Sequence, residues 1–106
     1  MTDNFTCIYK ILRALEASMD LSSFNTEQIS AEKLKISEER LTRYIEMLND
    51  SGYIKGVRVF TDITGETCIE DNGIKITLKG LEYLTENSIM QRIYKATKGI
   101  KDILPL

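Results

Sequence analysis

Residues 44–57 read Tyr44-Ile45-Glu46-Met47-Leu48-Asn49-Asp50-Ser51-Gly52-Tyr53-Ile54-Lys55-Gly56-Val57, and residues 74–84 read Ile74-Lys75-Ile76-Thr77-Leu78-Lys79-Gly80-Leu81-Glu82-Tyr83-Leu84. In the first stretch a helical pattern stops at a glycine and passes straight into a β-branched run. Gly52 can take the left-handed conformation that ends a helix without a Cβ penalty. Ile54, Val57, Val59 and Phe60 then suit an extended, half-buried backbone. In the second stretch a short strand ends at Thr77, whose hydroxyl is placed to accept from the orphan amides of a new helical turn. Leu78, Leu81 and Leu84, with Tyr83, repeat at the three-to-four spacing of a buried stripe. Gly80 inside that helix costs about 1 kcal/mol against alanine. Its presence predicts a second backbone passing close by, from the sheet or the first helix.

Working outward, Phe5, Ile8, Leu12 and Leu15, flanked by Ile11 and Met19, predict a first helix from about Asn4 to Ser18. Residues 20–25 are a loop, with room for a short strand near Phe24. A short helix follows, centred on Ser30 to Lys35, with Ile29 and Leu34 inward; Asn25, Thr26 and Ser30 all have side chains that can cap it. Ser37 is placed to cap a longer helix that runs to Asp50 and buries Leu41, Ile45 and Leu48, helped by Tyr44. The hairpin spans about Tyr53 to Ile76, with its tip at Thr64-Gly65 and a bulge or kink at Asp71-Asn72-Gly73. A fourth helix ends near Asn87-Ser88, and a fifth runs from Ile89 to about Ile103, before Pro105. Leu12, Leu15, Ile54, Leu81 and Leu84 complete the predicted core.

The fold class is therefore mainly α with a small β-hairpin (α+β): a winged helix-turn-helix with an extra C-terminal helix. Residues 1–88 form the winged-helix domain. Residues 89–106 form an amphipathic helix packed on that domain or on a dimer partner. The chain has 106 residues, 42% hydrophobic and 28% charged, an ordinary balance for one globular domain. No apolar run approaches the roughly 20 residues that span a bilayer, and the N-terminus has no basic or apolar leader segment. Cys7 and Cys68 are isolated from each other and lack metal-ligand spacing. These features predict a cytoplasmic chain with free thiols and no membrane partner.

The chain has no histidine. The commonest general base and the commonest transition-metal ligand are missing together. The six glycines form neither a phosphate loop nor a dinucleotide fingerprint. Neighbouring carboxylates such as Glu38-Glu39 and Glu70-Asp71 do not converge on a helix or strand. The expectation is no enzyme, no cofactor and no metal.

In a winged helix the third helix enters the major groove. Arg40 and Arg43, one turn apart on that helix, are the candidates for phosphate or guanine, and Thr42 can add a polar or methyl contact. Lys33 and Lys35 fit phosphate positions, and Arg58 would follow from the wing. Three glutamates on the same helix oppose this. The whole chain carries a net charge of −2, with a pI near 5.2. Residues 1–88 hold 10 basic and 15 acidic side chains. Duplex DNA repels such a surface unless the basic groups cluster. The leading expectation is a DNA-binding transcriptional regulator of phage or mobile-element type, with double-stranded DNA as partner. The alternative is a protein-interaction module that keeps the fold without binding DNA. A positive strip joining Lys33, Lys35, Arg40 and Arg43 favours the first; carboxylates breaking it favour the second.

The terminal segment has the opposite charge. Arg92, Lys95, Lys98 and Lys101 stand against Asp102 alone. Ile89, Ile93, Ile100 and Ile103 share one face and are the candidates for a homodimer interface.

The run from Met47 to Val57, followed by Ile74 to Ser88, resembles the YjcQ-like proteins of Gram-positive bacteria and their phages. The similarity extends from the first helix to about Asp102. The resemblance implies a small winged-helix protein, often prophage-borne, and brings no catalytic residues with it.

Overall fold

The computed structural model describes residues 4–22 and 24–97, with side chains in that range up to residue 87. In chain order it contains α1 (Asn4–Ala17), a 3₁₀ turn (Ser18–Asp20), a second 3₁₀ turn (Thr26–Ile29), α2 (Ala31–Leu34), α3 (Glu38–Asp50), β1 (Ile54–Thr61), β2 (Thr67–Ile76) and α4 (Leu78–Thr97). This is an α+β fold with the wiring of a winged helix. No described helix is long and apolar enough to cross a membrane.

The helix starts follow from local chemistry. Asn25 and Ser30 both act as caps, on different elements. Asn25 Oδ1 accepts from the Glu27 amide at 3.0 Å and opens the second 3₁₀ turn; Ser30 Oγ accepts from the Lys33 amide at 3.1 Å and opens α2. Ser37 Oγ accepts from the Arg40 amide at 3.1 Å and opens α3. The turn between α2 and α3 is closed by Lys35, which adopts the left-handed conformation at φ 61°. The segment around Phe24 is not a strand; Phe24 is half-buried against the core.

α3 ends as expected. Gly52 has φ 83°, and the Tyr53 amide donates back to the Leu48 carbonyl at 2.9 Å. Thr77 then joins the two stretches quoted above. Its hydroxyl accepts from the Gly80 amide at 3.1 Å and donates to the Gly52 carbonyl at 2.5 Å. Its own amide donates to the Tyr53 carbonyl at 3.1 Å. The cap of α4 thus also ties down the end of α3.

β1 and β2 pair antiparallel, from Ile54 opposite Ile76 to Thr61 opposite Thr67. The register shifts between Lys55 and Val57, where Gly56 and Gly73 both take positive φ. This is the bulge expected at Asp71-Asn72-Gly73; Asp71 Oδ1 accepts from the amides of Gly73 and Ile74, each at 2.9 Å. At the tip, Asp62 Oδ1 accepts from the Thr64 amide, the Thr64 hydroxyl and the Glu66 amide.

The core joins Cys7, Ile11, Leu12 and Leu15 of α1 to Tyr44, Ile45 and Leu48 of α3, with Ile29, Leu34, Ile54, Ile74, Ile76 and Leu84 around them. Leu41 and Leu81 are half-buried at its margin. The predicted face of α1 needs correction. Phe5 is 71% exposed and Met19 59% exposed, while Cys7 and Ile11 are fully buried. α1 has apolar residues at 5, 7, 8, 9, 11, 12, 14, 15 and 17, so several stripes compete and packing selects one.

A second correction concerns the end of the fourth helix. α4 does not stop at Asn87-Ser88 but runs unbroken from Leu78 to Thr97. Asn87 Nδ2 donates to the Tyr83 carbonyl at 2.9 Å, one turn back on the same helix, rather than acting as a stop. α4 packs on α1 and β2.

Candidate interaction surface

The six residues expected to meet DNA stand in different surroundings. Lys33 and Lys35 lie at the end of α2 and in the turn, both exposed and without an ion pair among the described residues. Arg40 is drawn towards α1. Its Nη1 donates to Asn4 Oδ1 at 2.8 Å and to the Tyr44 hydroxyl at 3.3 Å, and the Tyr44 hydroxyl donates to the same Asn4 oxygen at 2.5 Å. The hydrogen bond with Tyr44 raises the Arg40 pKa further above its ordinary value.

α3 advances about 100° per residue, so its buried and exposed faces separate cleanly. Tyr44, Ile45 and Leu48 face the core. Arg43 lies on the opposite side, exposed and without an ion pair among the described residues, in the same sector as Glu39, Glu46 and Asp50. The glutamates do not pair with Arg40 or Arg43, because the only ion pairs among the described residues are Arg13–Glu16 and Arg58–Glu70. The face that a winged helix presents outward is therefore net acidic.

On the wing, Arg58 Nε donates to Glu70 Oε1 at 2.6 Å across the hairpin. The same guanidinium lies 4.5 Å from the centre of the Phe60 ring. Its charge is thus balanced in place. The pairing has a signal in the sequence, since Arg58 and Glu70 each stand six residues from Thr64 at the tip. The tip carries Ile63, whose side chain is fully exposed. The Asp62 carboxylate beside it is held below its ordinary pKa by hydrogen bonds, first from the Thr64 hydroxyl and then from the Glu66 amide.

Thr42 is half-buried and lines a groove between α3 and the hairpin, of about 450 Å³. Its floor is apolar, with Ile29, Leu41, Ile45, Val57, Ile69 and Ile74. The charged residues that line it are Glu27, Glu38 and Asp71, all acidic. Periodicity and capping did not reveal this groove, because its lining comes from the second 3₁₀ turn, α2, α3, β1 and β2, which are separate in the sequence. Among the described residues, no three His, Cys, Asp or Glu side chains are grouped to hold a metal ion.

The dimer candidates Ile89 and Ile93 fall within α4, beyond the described side chains; Ile100 and Ile103 lie outside the described residues.

A protein-family model described as "YjcQ protein" matches residues 9–103, which include the larger part of α1 and every later element. No curated protein and no solved structure matches the chain. With nine-tenths of its length inside that match and the winged-helix wiring present, the chain belongs to the YjcQ family.

Proposed function

We propose that this protein is a winged-helix module that works by contacting another protein, with α3 and the hairpin as its contact surface. The outward face of α3 carries the proposal. Two arginines stand there against four carboxylates, and Arg40 is engaged by Asn4 and Tyr44. A major groove lined by phosphates would meet Glu38, Glu39 and Glu46 at the reading end of the helix. The wing would add Asp62 and Glu66, with Arg58 balanced by Glu70. Such a surface repels the duplex and suits a protein partner with basic groups.

A second reading, a DNA-binding regulator of phage or mobile-element type, keeps one specific support. Lys33, Lys35 and Arg43 are exposed around the helix-turn-helix and have no ion pair among the described residues. The two readings separate in a selection of bound duplex fragments at low and moderate salt. The protein-contact reading expects no enriched sequence and loss of all retention at moderate salt. An enriched duplex that stays bound at moderate salt, and whose affinity falls on Arg43→Ala, would establish the DNA reading instead.

A further inference from the structure

We infer that the groove between α3 and the hairpin receives a basic amphipathic helix carried by a partner protein. The inference rests on the protein-contact reading and names the chemistry of the partner. The floor of the groove is aliphatic, with Ile29, Leu41, Ile45, Val57, Ile69 and Ile74. Three carboxylates, Glu27, Glu38 and Asp71, line it together with no basic residue. They come from the second 3₁₀ turn, α3 and β2, so elements far apart in the sequence bring one sign of charge to one apolar site. An acidic segment laid there would be repelled. The complement of this groove is an apolar stripe bordered by lysine or arginine.

The occupant is a helix rather than a strand for a geometric reason. Val57 stands opposite Asp71 in the ladder, Val59 opposite Ile69 and Thr61 opposite Thr67. Opposed and alternate residues share one face of a hairpin, so Val57, Thr67, Ile69 and Asp71 reach the groove from the same face. The hairpin therefore offers chiefly a face of side chains here, not the backbone of a strand edge. An extended segment would find few main-chain partners, whereas a helix satisfies its backbone internally. At about 450 Å³ the groove takes a few side chains, not a whole helix about 10–12 Å across. The helix lies over its mouth and inserts apolar residues at i, i+3, i+4 and i+7.

The test uses the full chain and three synthetic peptides of about 15 residues, the length at which an isolated helix is marginal in water. The first has leucine at the i, i+3, i+4 and i+7 positions and lysine elsewhere. The second keeps that leucine spacing and carries glutamate in place of lysine. The third has the composition of the first, with leucine and lysine in alternation. The first should bind with an affinity that falls with salt, and should shift the amide signals of Thr42, Val57, Ile69 and Ile74 in a nuclear magnetic resonance titration. The second should not bind, and the third should bind about tenfold more weakly or worse. A variant with Glu27→Lys and Glu38→Lys should lose about tenfold or more in affinity for the first peptide. Neither glutamate side chain takes part in a cap, a bulge or an ion pair among the described residues. Circular dichroism checks that the variant is folded. If the double reversal unfolds the chain, Glu27→Gln and Glu38→Gln replace it, and each should flatten the salt dependence.

Groove signals that stay still at hundreds of micromolar of the first peptide would overturn the proposal. So would equal binding of the lysine and glutamate peptides, or a folded groove variant that binds as the parent does. Alternating leucine and lysine binding as well as the helical pattern would give the groove to an extended segment or to charge attraction alone. Groove signals that move with protein concentration, with no peptide present, would give it to a second copy. Either result overturns the helix of a partner protein. None of these readouts depends on the duplex selection, so the peptides can fail while the protein-contact reading stands.

Discussion

The backbone carbonyl of Tyr53 fills the space into which a β-carbon on Gly80 would project. That carbon would also stand 2.6 Å from Ile76 Cγ1. The same carbonyl accepts from the Thr77 amide, so it has no freedom to move aside. The start of α4 is thereby pressed onto the junction of α3 and β1.

Gly80→Ala should therefore destabilise the protein, although alanine is the better helix former by about 1 kcal/mol. Overpacking against a fixed backbone costs roughly 1–3 kcal/mol, which is expected to outweigh that gain and leave a net loss of up to about 2 kcal/mol. Urea denaturation checks this, and a more stable variant would show that the junction yields.

Gly56 and Gly65 share φ 87° but differ in surroundings. A β-carbon on Gly56 would lie 2.7 Å from the Gly73 carbonyl carbon and closer still to its oxygen, whereas Gly65 meets nothing within 4 Å. Gly65→Ala should carry only the left-handed backbone penalty, about 1–2 kcal/mol. Gly56→Ala adds a clash inside the bulge and should cost more. Equal melting temperatures for the two variants would refute the difference.

Lys35 occupies the left-handed C-terminal position of α2, where glycine is the usual residue. Lys35→Gly removes the β-carbon penalty but adds freedom to the unfolded chain. The expected balance is a gain of roughly 0.5–1 kcal/mol in thermal denaturation. The same variant removes one of the exposed lysines on which duplex binding would depend, so its salt-dependent DNA retention is a useful companion measurement.

Leu48 is buried in the core, whereas Phe5 stands mostly in solvent. Leu48→Ala should cost about 2–5 kcal/mol. Phe5→Ala should change stability by less than about 0.5 kcal/mol. A large loss at Phe5 would restore the α1 stripe predicted from spacing alone.

The wing tip should respond to acid. Hydrogen bonds to Thr64 and Glu66 favour the Asp62 carboxylate and lower its pKa in the folded state. Its contribution is present above the unfolded-state pKa and is lost as pH falls through the lower, folded value. The amide signals of Thr64 and Glu66 should therefore move together with a midpoint below 3.8, the ordinary aspartate value. Asp62→Asn should abolish that transition.

The order of elements, the stops and the caps were legible because each is decided within four or five residues. Gly52 ends α3, Thr77 opens α4, Ser37 opens α3, and Gly73 marks the bulge, all by local backbone chemistry. Gly80 went further and announced a close neighbour before that neighbour was visible. The YjcQ resemblance was legible in the same two stretches. Tertiary structure decided what local pattern leaves degenerate. α1 has too many apolar residues for spacing to choose its inner face, so Cys7 and Ile11 turn inward and Phe5 outward. α4 passes Asn87 unbroken, and that side chain bonds back to Tyr83 on the same helix. The fate of the charges was equally non-local. Arg40 is engaged by Asn4, 36 positions away, and Arg58 by Glu70, across the hairpin. A basic residue in the sequence is only a potential contact; whether its charge remains available depends on the partners the fold brings to it.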